Sequence, residues 1–455
     1  MAAESSKKLT FHQLFAFALP GFALSMMLGP IGNFLPVFYA KHTSISMASI
    51  GLALLLTRIA DAFSDQIVGY LSDITKSRFG QRKPWMVAGT LVSMGAALAL
   101  YNPGPEAGFA YFFVAVLFLY FGWTMVAVPH MAWSSEITRD YNERSKVSSF
   151  SAVLSPLGFI VILGVPYLPF LKSTEISPQA VAIMGLVILV ALPTAVGWAV
   201  TVAPRGHTVA AQNHSLRDLF NSVRSNRPFW HFMAYAAIGQ ISMGLLGSAM
   251  VVYMDFHLKL GDKISLIFIV NMLVMLLTVP LWLKIVYRIG KHRALAASGI
   301  FSMLLLPLVL LIEPGPDALY PFLAWMVALA VAGGANALAV GAIMGDIVDY
   351  DILKTRANRA GNYYAFMGLL TKASAAVGGG LGFALLGAMG FDAKAQQQTA
   401  MAIMGLKLTF VWIPVFLGFF AVALILMFPL DARRHGIIRR RLEQRTARNA
   451  AGATP

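Results

Sequence analysis

Arg58, Asp61 and Asp65 stand three and four residues apart inside an otherwise apolar segment, residues 47–72, that is long enough to cross a bilayer. On a helix that spacing puts all three side chains on one face. Near mid-span an ionisable group costs roughly 2.5–3.5 kcal/mol even on a lenient scale, so this face must look into protein or a watery cavity rather than lipid. A structural ion pair would use Arg58 and one carboxylate. The second acid leaves a surplus negative charge that attracts a cation, so the chemistry expected here is reversible binding of a proton or a small metal ion.

The elements that carry this face are set by composition. Of 455 residues 58% are hydrophobic and 12% charged, and the mean hydropathy is +0.70, the signature of an all-α polytopic membrane protein. Periodicity and length predict twelve spans, roughly 11–39, 47–72, 85–101, 108–133, 148–170, 179–203, 229–256, 264–286, 294–312, 319–344, 362–388 and 403–429. The first apolar run is too long for the core of a signal peptide and reads as span one. A net charge of +15 would suggest nucleic acid in a soluble chain. Here the distribution of Lys and Arg explains it: 27 fall on the side of both termini and six on the other (Lys41, Lys172, Lys259, Lys263, Lys394 and Lys407), with Arg58 and Lys372 inside spans. The bias predicts cytoplasmic termini in a bacterial inner membrane, and makes the tail arginines 433, 434, 439, 440 and 441 a topology and anionic-lipid signal. With no cysteine, disulfides and thiol chemistry are excluded. No nucleophile–base pair, metal-type cluster or nucleotide loop stands at a spacing that would favour an intramembrane enzyme or a cofactor.

The chain also repeats itself. Asn-Pro-Gly-Pro-Glu-Ala at 102–107 recurs as Glu-Pro-Gly-Pro-Asp-Ala at 313–318. Near the same offset the basic turn 76–83 meets 284–293, and the charged turn 136–144 meets 346–354. Two pseudo-symmetric six-helix bundles are expected, 1–203 and 229–430, joined by a cytoplasmic linker, 204–228, and followed by a basic tail, 431–455. This is the layout of a major facilitator carrier, whose site lies at the midplane between repeats.

Three signatures make the resemblance specific. Asp61-x-x-x-Asp65 is followed by Gly69, Ser72-Asp73, Arg78-x-Gly80 and Arg82-Lys83-Pro84-Trp85; Val128-Pro129 leads to Glu136-Ile-Thr and Glu143-Arg144; Asp346-x-Val-Asp-Tyr350 precedes Tyr363-Tyr364 and Lys372. Together they resemble the glycoside-pentoside-hexuronide:cation symporters, the melibiose permease family, over roughly residues 11–430. The resemblance implies alternating access and solute uptake driven by Na⁺ or H⁺. It places Asp61, Asp65, Thr124 and Lys372 at the family's cation-site acids, hydroxyl and facing lysine, with Arg58 as a charge partner in the cavity.

The departures bear on solute and ion. The family pattern has a further acid where this chain has Ala127, a tryptophan at Ala337, an arginine at Ala152 and an acid in span one, where residues 17–27 carry no charge. A sugar site needs several directional donors and acceptors. His130, Trp133, Gln240, Asn271 and Asn336 are the candidates to line a cavity, against the simpler reading that each hydrogen-bonds between helices. For each of them, His130 included, that simpler reading is preferred. By family default the solute is a glycoside or sugar derivative; the alternative is an amphiphile such as a lysolipid, because the eukaryotic lysophosphatidylcholine symporters resemble this family. H⁺ is favoured as the coupling ion, since two close carboxylates suffice for a proton, and Na⁺ is the alternative. A monomer is expected. Asp73, Arg82, Lys83, Glu136, Arg139 and Arg144 of the first half, with Asp346, Asp349, Asp351, Lys354 and Arg359 of the second, form a candidate cytoplasmic gate of opposite charges. Solvated loop charges worth under about 1 kcal/mol each are the competing reading.

Overall fold

In the computed structural model the protein is all helix among the described residues, which are 9–451 except 139, 205, 207–219, 221–222, 357–358, 396 and 431. Most of the expected linker, and Arg139 of the expected gate, therefore lie outside the description, as does the Arg144 side chain.

The first part of the chain forms α1 (Phe11–Gly32), α2 (Leu35–His42), α3 (Met47–Ile74), α4 (Lys83–Tyr101), α5 (Phe109–Glu136), α6 (Tyr141–Leu163) and α7 (Pro178–Val202). There follow α8 (Arg227–Val252), α9 (Ile264–Ile289), α10 (Lys291–Leu305), α11 (Leu319–Gly333), α12 (Ala335–Thr355), α13 (Ala360–Ala388), α14 (Ala400–Lys407), α15 (Ile413–Leu426) and α16 (Ala432–Ala451). Twelve helical stretches among the described residues are long and apolar enough to cross a membrane.

Two expected boundaries shift. The first span, expected as 11–39, breaks between α1 and α2 at Asn33 and Phe34. Pro36 has no N–H to bond Gly32, and its ring disfavours a helical Leu35 connection to the preceding turn. The Asn33 amide caps the break by donating to the Gly29 carbonyl at 2.7 Å. The tenth span, expected to end at 344, runs on as α12 to Thr355, so Asp346, Asp349 and Asp351 sit on its last turns and not in a loop.

The chain divides into two compact units. One comprises 1–213, 247–272 and 379–406; the other 214–246, 273–378 and 407–455. Helices α8, α9 and α13 each contribute to both. In the first unit α1 packs on α6 and α7, and α5 on α3 and α4. Two of its buried tyrosines satisfy their hydroxyls on backbone: Tyr39 donates to the Leu100 carbonyl at 2.7 Å and Tyr101 to that of Met27 at 2.9 Å. The second unit closes around Phe229, Phe232, Ala294, Ile347 and Tyr363, with α16 resting on α12 through Ile438 and Leu442. Within it the Gly378-Gly-Gly-x-Gly382 run begins where α13 meets α8: a Cβ at Gly378 would stand 2.2 Å from the Ile241 carbonyl oxygen.

Candidate functional site

The acid site is built on α3 and aimed by α5. Ser46 starts α3, its side chain accepting from the Ser49 N–H, and 28 helical residues follow without a break. The rotation of α5 is set by close approach to α4. A Cβ at Gly122 would lie 2.7 Å from the Ser93 nitrogen, and one at Gly89 would lie 2.9 Å from the Gly122 carbonyl oxygen. With that face of α5 pressed on α4, Thr124, two residues on, points to α3.

There the Thr124 hydroxyl oxygen lies 2.9 Å from Asp61 Oδ1 and 3.1 Å from Asp65 Oδ1. A hydroxyl has one hydrogen, so it donates to only one of these carboxylates at a time. The other meets a lone pair, a repulsive contact unless a proton or metal ion sits between. Asp61 is 2% exposed and Asp65 half-buried. Arg58 approaches Asp61 only to 3.8 Å and lies over the Tyr120 ring at 4.1 Å. Ser64 donates to the Asp61 carbonyl at 3.0 Å. Ala127, one turn from Thr124, is buried and offers no oxygen beyond the backbone. Lys372 lies in the second unit on α13, half-buried.

The cavity candidates are scattered. His130 is buried, its Nε2 2.7 Å from the Phe17 carbonyl oxygen and its ring stacked on Phe17 at 4.5 Å. Trp133 is buried and donates to the Pro204 carbonyl at 3.1 Å. Gln240 on α8 and Asn271 on α9 are half-buried, and exposed Asn336 accepts from the Tyr235 hydroxyl at 3.1 Å.

The gate candidates find partners inside their own units. In the first, Arg82 bonds Asp73, the Ser72 hydroxyl at 2.8 Å and Glu136 through Nε at 3.0 Å. Burial works against the Arg82 charge, but Glu136 and Asp73 outweigh it and raise its pKa further above the usual guanidinium value. Lys83 donates to the Val200 and Ala203 carbonyls, at 2.6 and 3.1 Å, at the end of α7. In the second unit Lys291 grips both oxygens of Asp346 at 2.7 and 2.9 Å, and His435 of α16 lies 3.1 Å from Asp349. Asp351 is buried beside the Tyr363 hydroxyl, Lys354 donates to the Ser225 carbonyl at 3.0 Å, and Arg359 is exposed.

Sequence reasoning missed Tyr120, Lys291 and His435 as partners, and a cluster of Lys41, Glu175 and Asp255. Lys41 carried a signal: it is one of six cations on the lysine-poor side, and 134 and 214 residues separate it from its acids.

Comparison with known proteins bears on the family and the fold. The sequence matches the family described as MFS/sugar transport protein (MFS_2) over residues 16–432. Similar relatives include the uncharacterized symporter YnaJ of Bacillus subtilis, 24% identical over 98% of this chain and 97% of the relative. The glucuronide carrier protein homolog of Escherichia coli is 22% identical over 94% of each. The sodium-dependent lysophosphatidylcholine symporter 1 of Xenopus tropicalis is 21% identical over 94% of this chain and 89% of the relative. Among solved structures the nucleoside transporter NupG aligns with a TM-score of 0.65 at 14% identity, covering 93% of this chain and all of the other.

Proposed function

Because the chain belongs to the MFS_2 family of the major facilitator superfamily, and is thus a cation-coupled symporter and not an enzyme, we propose that it couples H⁺ to the uptake of a sugar derivative through Asp61, Asp65 and Thr124. The observation that carries this is the single Thr124 hydroxyl shared by two carboxylates on one face of α3. A proton bridging the carboxylates, or held by one of them, removes the lone-pair conflict at the shared hydroxyl. A Na⁺ ion wants more hard oxygens than this set presents, since Ala127 supplies no carboxylate. Alternating access then ties ion binding to the movement of solute.

In this reading the termini are cytoplasmic and the arginine-rich ends of the spans face the cytoplasm. The chain works as a monomer in a bacterial inner membrane. Uptake into vesicles with an imposed pH or Na⁺ gradient, membrane potential clamped, tests the ion. A proton gradient alone should drive accumulation; Na⁺-driven uptake indifferent to the proton gradient refutes the proton reading.

A second solute class has its own support. The relatives include lysophosphatidylcholine symporters, and this chain lacks the charges a sugar site uses at residues 17–27 and at Ala127. Thermal-shift screening of sugars, glycosides and lysolipids separates the two, the glycosides being expected to stabilise.

A further inference from the structure

Lys41, at the end of α2, lies 2.8 Å from Glu175 Oε1 and 3.0 Å from Asp255 Oδ2. The three charges come from distant parts of the chain: Glu175 precedes the Ser177 cap of α7, and Asp255 lies in the wide turn 253–257 that ends α8. The place of Asp255 is built in, because a Cβ at Gly261 would fall 2.3 Å from its Oδ1. The neighbouring connections are tied as well, the Thr174 hydroxyl donating to the Asp262 carbonyl at 2.9 Å. Burial, then the Lys41 charge, pushes His42 below its ordinary pKa, so at neutral pH Lys41 is the cation between the two acids.

Around this cluster the segments 247–272 and 379–406 join the first-half helices within one compact unit. Lys41 lies over the Phe256 ring at 5.6 Å, Phe256 packs edge-on to Phe391 at 5.1 Å, and a Cβ at Gly51 would stand 3.0 Å from the Gly380 carbonyl oxygen. The ion cluster, with Lys41 27%, Glu175 47% and Asp255 13% exposed at the side chain, sits where water can replace each partner.

We propose that Lys41, held between Glu175 and Asp255, is an ionic latch on the lysine-poor side that must open for solute to enter there. The role of opening rests on the symporter reading above; the latch itself is tested without ion or solute. The chain has no cysteine, so Lys172→Cys with Lys394→Cys, both exposed and in the same unit, gives a clean spin-label pair in nanodiscs. Lys41→Ala and Asp255→Asn should each add a longer-distance population that the parent lacks. The swap Lys41→Asp/Asp255→Lys keeps one cation between two acids and should return the parent distribution. Identical distributions in the parent and both single variants overturn the latch, as does a swap that stays as open as Lys41→Ala. Where Lys41→Ala does not purify as a folded protein, Glu175→Gln takes its place with the same expected shift and the same overturning result. Absence of ion-driven uptake in the parent would count against the symporter reading alone, because the distances are read without transport.

Discussion

The acids in the middle of α3 and the charges where its last turn meets the ends of α4 and α5 are held in opposite ways. Arg82 makes close bonds to Asp73, Ser72 and Glu136, and Glu136 is buried with its charge matched. Further back on α3, Arg58 stands 3.8 Å from Asp61, and two carboxylates divide one hydroxyl. A tightly satisfied cluster has little to gain from a visiting ion. Two carboxylates that share one hydroxyl leave a lone-pair conflict that a proton relieves. In the proposed reading the contrast separates charges that hold the fold from charges that couple the ion.

The largest effect expected from breaking this contrast is at the midplane. Asp61→Asn/Asp65→Asn should abolish accumulation against a gradient while leaving downhill exchange and the melting temperature close to the parent. Full active uptake by the double variant would remove both acids from the coupling site. At the other pole, Arg82→Gln should act on stability. It leaves Glu136 buried without its guanidinium, and removing one partner of a buried pair costs about 3–5 kcal/mol. The check is the thermal unfolding of purified protein, where an unchanged midpoint contradicts the structural role.

A smaller effect sharpens the comparison. Thr124→Val keeps the volume but removes the oxygen between the carboxylates, and should raise the ion concentration for half-maximal uptake about tenfold, the equivalent of ~1.4 kcal/mol; Thr124→Ser should restore it. If Val and Ser behave alike, the hydroxyl is not part of the ion site. The smallest effect belongs to Arg439 and Glu443, an exposed pair at 3.2 Å on α16. Arg439→Gln should change the melting free energy by less than about 1 kcal/mol.

What could be read from sequence follows from local rules. Twelve spans, the repeat and the asymmetry of Lys and Arg need only hydropathy and counting, because a bilayer imposes length and charge bias on each helix separately. Asp61 and Asp65 were legible for the same reason: an acid in a span is costly wherever its neighbours lie, so its type and depth announce it. The break at Asn33 was foreshadowed by Pro36 but obscured by uninterrupted apolar residues on both sides. The helical extension to Thr355 was hidden because Asp346, Asp349 and Asp351 lower hydropathy without ending a helix.

Partners were another matter. That Thr124 reaches both aspartates depends on Gly89 and Gly122 letting α5 press onto α4, a rotation no single segment encodes. That Asp346 is gripped by Lys291 depends on α10 packing beside α12. That Lys41 meets Glu175 and Asp255 depends on bringing together residues as many as 214 positions apart. Sequence alone determined that this is a twelve-span carrier with two acids in its second span, because insertion into a bilayer acts on one helix at a time. Only tertiary structure decided which charges are closely matched and which share a single donor, because the worth of a charge is set by the distance and geometry of groups on other helices.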